Sequence, residues 1–309
     1  MLQIQRVLHA TDFSPSAKNA MGFSLLLARL FKVPLDVLHV VPGVGAYRIE
    51  EFDETIAASD ASLAERVEEL RALTGGLSTD VRFIIGHGPL PGPVIIQEAH
   101  KTGMNFIVLG AHGEGEASDY MLGSVATDVI RRSTCPVLIV PPLVRPEAID
   151  SDIERIVTFV SYAHLIEPVL GAAAYVANLF GSRLDVLAQV EGLDPDGPAL
   201  DWDDTERNLR QIIERHRRRH EMKLDEENIH LHPVRGNAVD DTLAFVNEHE
   251  ADLLIVQAPG LASMDSPSEQ AVEELVGRSP CPVILINTCG QREDRSQRSA
   301  NRKTRQPVT

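Results

Sequence analysis

The segment Gly110 to Ile130, GAHGEGEASDYMLGSVATDVI, sets Gly110, Gly113 and Gly123 ahead of Ser124 and a helical apolar pattern. Glycine admits backbone angles and close ligand approach that a Cβ blocks. A helix starting at Gly123-Ser124 would expose N–H groups without intrahelical acceptors at the positive end of its dipole, where a phosphate collects. Ser124 would either cap that helix or give its hydroxyl to a phosphate oxygen, and the two roles are compatible. The chemistry indicated is the binding of a phosphorylated ligand. The pattern is neither a P-loop, since G-x-x-x-x-G-K-[ST] is absent and the loop holds no lysine, nor a G-x-G-x-x-G fingerprint after the first strand. Asp12, in Ala10-Thr11-Asp12-Phe13-Ser14-Pro15, closes the first apolar run. An Asp there caps the following turn or, past the carboxyl end of a parallel strand, lines a ligand crevice. If the first and fourth strands are neighbours, Asp12 and Gly110 face one cleft.

These residues need a frame, and the sequence writes that frame twice. Residues 4–41, IQRVLHATDFSPSAKNAMGFSLLLARLFKVPLDVLHVV, match residues 153–190, IERIVTFVSYAHLIEPVLGAAAYVANLFGSRLDVLAQV, in one register. Arg6 falls on Arg155, and Leu35-Asp36-Val37-Leu38 on Leu184-Asp185-Val186-Leu187. RRSTCPVLIVPP (131–142) similarly matches GRSPCPVILINT (277–288). Two copies of one fold follow: a first domain over 1–144, a linker over 145–152 and a second domain over 153–289. In the first copy, apolar runs predict strands at 4–10, 35–41, 81–85, 106–110 and 137–140. Helical periodicity predicts helices at about 16–30, 59–73, 93–100 and 124–132. Strands apolar on both faces belong between two helical layers, so the class is α/β with a parallel sheet in each copy.

The bulk composition excludes several classes. A net charge of −16 over 309 residues argues against general affinity for nucleic acid or an anionic membrane. The absence of an 18-residue apolar run or a leader pattern leads to the expectation of a cytoplasmic protein with no membrane association. Cys135, Cys281 and Cys289 are too few and too scattered for a disulfide framework or metal knuckle. Residues 290–309 lack apolar periodicity and read as a disordered basic tail. The tail carries six basic and two acidic residues, which leaves −20 on residues 1–289.

Ala10-Thr11-Asp12-Phe13-Ser14, Val40-Val41, Gly110-Ala111-His112-Gly113 and Gly123-Ser124-Val125 together resemble the universal stress protein family in tandem form, over both copies to about residue 288. The resemblance implies a five-stranded parallel sheet in order 3-2-1-4-5 per copy, a doubly wound HUP-like fold, with ATP at the switch between strands one and four. It implies that Asp12 and Val41 flank adenine and ribose, that Gly110 and Gly113 admit the ribose and α-phosphate, and that Gly123, Ser124 and Val125 hold the outer phosphates. Ala10, Thr11, Leu109 and His112 complete the implied ATP-binding set. Family members usually dimerise through the last strand, so residues 137–140 and 283–286 are expected to pair within the chain, with a homodimer also open.

The second copy departs from this pattern. Asp12 falls on Ser161, Gly110 on Gln257, and Gly123-Ser124 on Glu269-Gln270, leaving Gly260 alone of the loop glycines. A glutamate at that helix start repels phosphate, so the second copy is expected not to bind ATP in this mode. In the first loop, Glu114, Glu116 and Asp119 would face a polyanion. They point to solvent, share a divalent ion such as Mg with the phosphates, or select a less charged nucleotide. His9, His39 and His87 lack metal-ligand spacing and read as structural. The run Arg215-His-Arg-Arg-Arg-His220, with acidic flanks, reads as a solvated helical face. Three functions compete: an ATP-binding stress-response regulator that acts on an unidentified protein partner, a slow ATPase or nucleotide-dependent transferase, and an interaction module without nucleotide. The loop offers neither a cation for a transferring phosphoryl group nor a base to align water, so the regulator is preferred and no catalytic residue or metal ligand is assigned.

Overall fold

In a computed structural model of the chain, the described residues are 4–43, 47–75, 80–113, 122–142, 144, 153–161, 166–190, 201–258 and 267–287. The linker at 145–152, the tail at 290–309, Gly260 and the loop acids Glu114, Glu116 and Asp119 lie outside them. Apolar runs form strands and the periodic segments between them form helices. The first half runs β1 (Val7–Thr11), α1 (Pro15–Phe31), β2 (Leu35–Pro42), β3 (Arg48–Glu51), α2 (Glu54–Ser59), α3 (Ala61–Leu73), β4 (Val81–Gly88), α4 (Pro91–Thr102), β5 (Phe106–Gly110), α5 (Ser124–Arg132) and β6 (Val137–Val140). The second runs β7 (Arg155–Ser161), α6 (Ile166–Phe180), β8 (Arg183–Gln189), α7 (Trp202–Arg219), β9 (Ile229–Val234), α8 (Ala238–Glu248), β10 (Leu253–Gln257), α9 (Pro267–Arg278) and β11 (Val283–Ile286).

The strands form one sheet in the order β3-β4-β2-β1-β5-β6-β11-β10-β7-β8-β9. Each half contains the order 3-2-1-4-5, and the halves meet where β6 and β11 pair antiparallel, Leu138 opposite Ile284. Side chains alternate across the sheet: Val7, Val37, Phe106 and Leu138 enter one core layer, while Leu8, Leu38, Ile107 and Ile139 enter the other. Helices α1, α3, α6 and α7 cover the first layer; α4, α5, α8 and α9 cover the second. Both layers continue from one half into the other.

Two expectations for the first half need correction. Its sheet has six strands, because β3 adds an edge antiparallel to β4, with Ile49 opposite Gly86. Only Ile49 of β3 packs on the core, and its neighbours Arg48, Glu50 and Glu51 are charged, so no apolar run announces the strand. The helix expected over 59–73 is α3, starting at Ala61, and an unexpected short helix, α2, precedes it. Asp60 stands between them in extended backbone and caps α3, its Oδ1 accepting from the Leu63 N–H at 2.9 Å.

Candidate functional site

The carboxyl ends of β1 and β5 lie side by side, since β1 pairs parallel with β5 through Val7–Phe106, Leu8–Ile107 and His9–Val108. Beyond β1 the chain turns sharply. Phe13 adopts φ 65°, a left-handed conformation that costs a non-glycine residue about 1 kcal/mol. Hydrogen bonds on both sides hold the turn. The Phe13 N–H donates to Thr11 Oγ1 at 2.9 Å, and the Ser14 N–H donates to Asp12 Oδ1 at 3.0 Å. Ser14 then caps α1 by accepting from the Ala17 N–H at 3.2 Å, and its hydroxyl donates to the His112 carbonyl at 3.4 Å. The turn after β1 is therefore tied directly to the loop after β5.

Both loop glycines stand in close approach to another segment, for different reasons. A Cβ on Gly113 would stand 2.7 Å from Asp12 Oδ2, so the carboxylate lies against the Gly113 backbone. A Cβ on Gly110 would stand 2.5 Å from Ser16 Oγ and 2.8 Å from the Ser16 carbonyl carbon. Gly110 thus lets the first turn of α1 rest on the end of β5, a packing role beside the ligand role implied for it.

Helix α5 begins with Gly123 as its N-cap, and Ser124 is the first helical residue, so Ser124 does not cap the helix. No side chain among the described residues caps this end, and the first intrahelical bond runs from the Thr127 N–H to the Gly123 carbonyl at 2.9 Å. The N–H groups of Ser124, Val125 and Ala126 are left at the helix entrance, with a partial positive charge of about half a unit. The Gly123 N–H donates to the Ala111 carbonyl at 2.8 Å, which fixes that entrance one residue from His112. Ser124 is exposed and Val125 partly so.

The remaining residues of the implied set take different places. Ala10 and Leu109 are buried in the α4/α5 core layer, so only their backbone is available to a ligand. Thr11 is buried, its hydroxyl and carbonyl engaged by Phe13 and His39. Val41, near the end of β2, is partly buried against the other core layer. Both ring nitrogens of His112 are shielded from solvent and meet no hydrogen-bond partner among the described residues. In a buried position that is costly unless something else supplies the partner.

Two other histidines lie on β1 and β2 close to the turn after β1. His39 Nδ1 lies 2.9 Å from the Thr11 carbonyl, and its ring packs on Phe13 with centroids 4.6 Å apart. Burial pushes its pKa down, partly offset by its bond to Thr11. His9, fully buried on β1, is driven down to about 3 by burial, against a smaller opposing pull from Asp12. Position alone, at a strand end beside the cleft, was the available signal for His39. Among the described residues, no group of three His, Cys, Asp or Glu side chains is placed to hold a metal, and no helix is long and apolar enough to cross a membrane.

The universal stress protein family model matches residues 3–141. A universal stress protein of Thermus aquaticus is 33% identical over 135 residues, covering 43% of this chain and 96% of that protein. One from Methanocaldococcus jannaschii is 27% identical over 153 residues, covering 44% of this chain and 94% of that protein. The crystal structure of a universal stress protein from Archaeoglobus fulgidus matches with a TM-score of 0.70 at 20% identity, covering 92% of this chain and 99% of that one, so the two share a fold across both halves. On the matched first half and the relatives that align to it almost end to end, the chain belongs to the universal stress protein family.

Proposed function

We propose that the protein binds one ATP per chain, in the cleft between β1, β5 and α5, and acts as a stress-response regulator. The entrance of α5, which no described side chain caps, carries this reading, held by the Gly123 bond to Ala111, two residues before the Gly113 that contacts Asp12. The site's chemistry fits the ligand. The first N–H groups of α5, which no described side chain caps, and the helix dipole suit phosphate oxygens, and His112 has two ring nitrogens without a partner among the described residues. A protein partner reads the surface that the bound nucleotide creates. The second half serves as a joined, non-binding copy that docks against the first. Turnover of ATP stays below about 1 per second, under the range of ordinary enzymes.

Calorimetry tests the reading. One equivalent of ATP is expected per chain, and Gly123→Glu should weaken binding by about 100-fold by setting a carboxylate on the phosphate site. The Gly123 backbone, at φ −63° and ψ 150°, lies outside the left-handed region that favours glycine. Two equivalents, or binding that survives the substitution, would overturn it. Titration with and without magnesium decides whether a cation joins the phosphates to the protein.

A further inference from the structure

On the face of the sheet covered by α1 and α6, the two helices leave a space over the β6–β11 junction. This cavity holds about 380 Å³, within the range of small-molecule sites. Phe23, Leu27 and Phe31 of α1 line one side, and Val176, Leu179 and Phe180 of α6 the other. Leu138 and Ile284, opposite each other across the junction, form part of the floor. The lining follows the internal repeat: Ile4 with Ile153, Leu27 with Val176 and Phe31 with Phe180 occupy matching positions. Neither half encloses this space alone.

The walls decide what suits it. Water in a cavity needs two to four polar partners. Among the described residues on the lining, the one charged side chain is Asp252, whose Oδ2 already accepts the N–H groups of Glu154 at 2.9 Å and Arg155 at 2.8 Å. The thiol of Cys281, also on the lining, is pushed up to about 12 by burial, so it stays protonated and forms no covalent bond to an occupant. A carboxylate headgroup would meet the Asp252 charge in a chain of net charge −16. From the apolar walls and this lone acid, we infer that the cavity is a binding site for one uncharged, medium-length hydrocarbon chain, such as that of a fatty alcohol. The site is separate from the nucleotide cleft and does not depend on it.

Equilibrium dialysis of the full-length protein with labelled 1-decanol tests this. Saturable uptake of one molecule per chain is expected, with decanoate bound at least about 10-fold more weakly because of the like charge. Asn105 holds the N–H groups of Gln5 and Arg6 as Asp252 holds those of Glu154 and Arg155, so Asp252→Asn keeps the backbone contacts while removing the charge. That variant should bring decanoate to within about threefold of decanol. Leu27→Trp fills the cavity and should abolish uptake, and Val176→Phe is the alternative if the larger ring prevents folding. Absence of saturation, uptake unchanged by both filling variants, or decanoate bound as well as decanol by the unaltered protein would overturn the inference.

Discussion

The corner that holds the cleft in the first half has its counterpart in the second, and the two differ at a few positions while the surrounding fold is the same. Both halves set the third-to-fifth strand order alike, and the bond from the Ala111 N–H to Val140 reappears as one from the Ala258 N–H to Ile286. Yet Asp12 is matched by Ser161 and Gly110 by Gln257. The helix start differs as well. Aligned on the Cys-Pro-Val segments, Ser124 corresponds to Gln270, but α9 begins at Pro267, three residues ahead of where α5 begins. A helix that starts earlier uses within itself the N–H groups that α5 leaves open. Core packing thus fixes the architecture in both halves, whereas the anion binding proposed for the first would depend on where one helix begins and on what stands at two strand ends.

Writing the second half's residue into the first gives the sharpest test of that contrast. Asp12→Ser retains an oxygen for the Ser14 N–H but withdraws the one resting against Gly113. ATP binding should weaken by about 30-fold, roughly 2 kcal/mol, the usual worth of a hydrogen bond to a charged group. Calorimetry on the variant measures it, and an unchanged affinity would mean that Asp12 builds the turn and nothing more.

Much of this corner could be read from the sequence, for reasons visible in particular residues. Parallel strands buried on both faces leave continuous apolar runs, so FIVLG gave β5 its observed bounds and VLIV did the same for β6. Asp12 and the loop glycines stood out because they interrupt such runs. What escaped the reading depended on contacts between segments far apart in the chain. The charged edge β3 needs β4 beside it, the left-handed Phe13 needs Thr11 and His39 around it, and the glycine at 110 answers to Ser16 of α1. Helix α2 was local, but six residues with none buried carry no apolar period to announce it.

A second exchange between the halves tests the cleft's support. His9 of β1 corresponds to Thr158 of β7, and both are fully buried. The His9 ring reaches Ser24 Oγ at 3.1 Å, while the Thr158 hydroxyl donates to the Ile255 carbonyl at 2.7 Å. Because burial holds His9 at about 3, the folded protein refuses a proton that the unfolded chain accepts below about 6.5. Stability from this group is complete above that value and falls as the pH drops toward 3. Urea unfolding at pH 7 and pH 5 should therefore show the difference between the two conditions shrink by about 1–2 kcal/mol in His9→Thr. An undiminished pH dependence would place the titration elsewhere.

The smallest effect separates two ways of burying the same aspartate. Asp36 and Asp185, matched by the repeat, both have side chains with no exposure. Asp36 is gripped by Arg82, with Nε to Oδ1 at 2.9 Å and Nη2 to Oδ2 at 2.5 Å, a partner that stays charged at any ordinary pH. Asp185 takes two bonds of 2.9 Å from Arg183 and one of 2.8 Å from His232. Burial would raise the pKa of Asp185, but the bonds from His232 and Arg183 outweigh it and hold it at about 2. A carboxylate held below its unfolded value of 3.8 stabilises the fold above that pH, and its contribution disappears as the pH falls through 2. His232→Phe keeps a ring to pack on Phe245, 4.8 Å away, and removes the bond to Asp185. The variant should lose about 1 kcal/mol at pH 7, and the deficit should fade toward zero near pH 2, once Asp185 is protonated in both proteins. A loss of equal size at both pH values would assign His232 a packing role and leave Arg183 as the partner that keeps Asp185 charged.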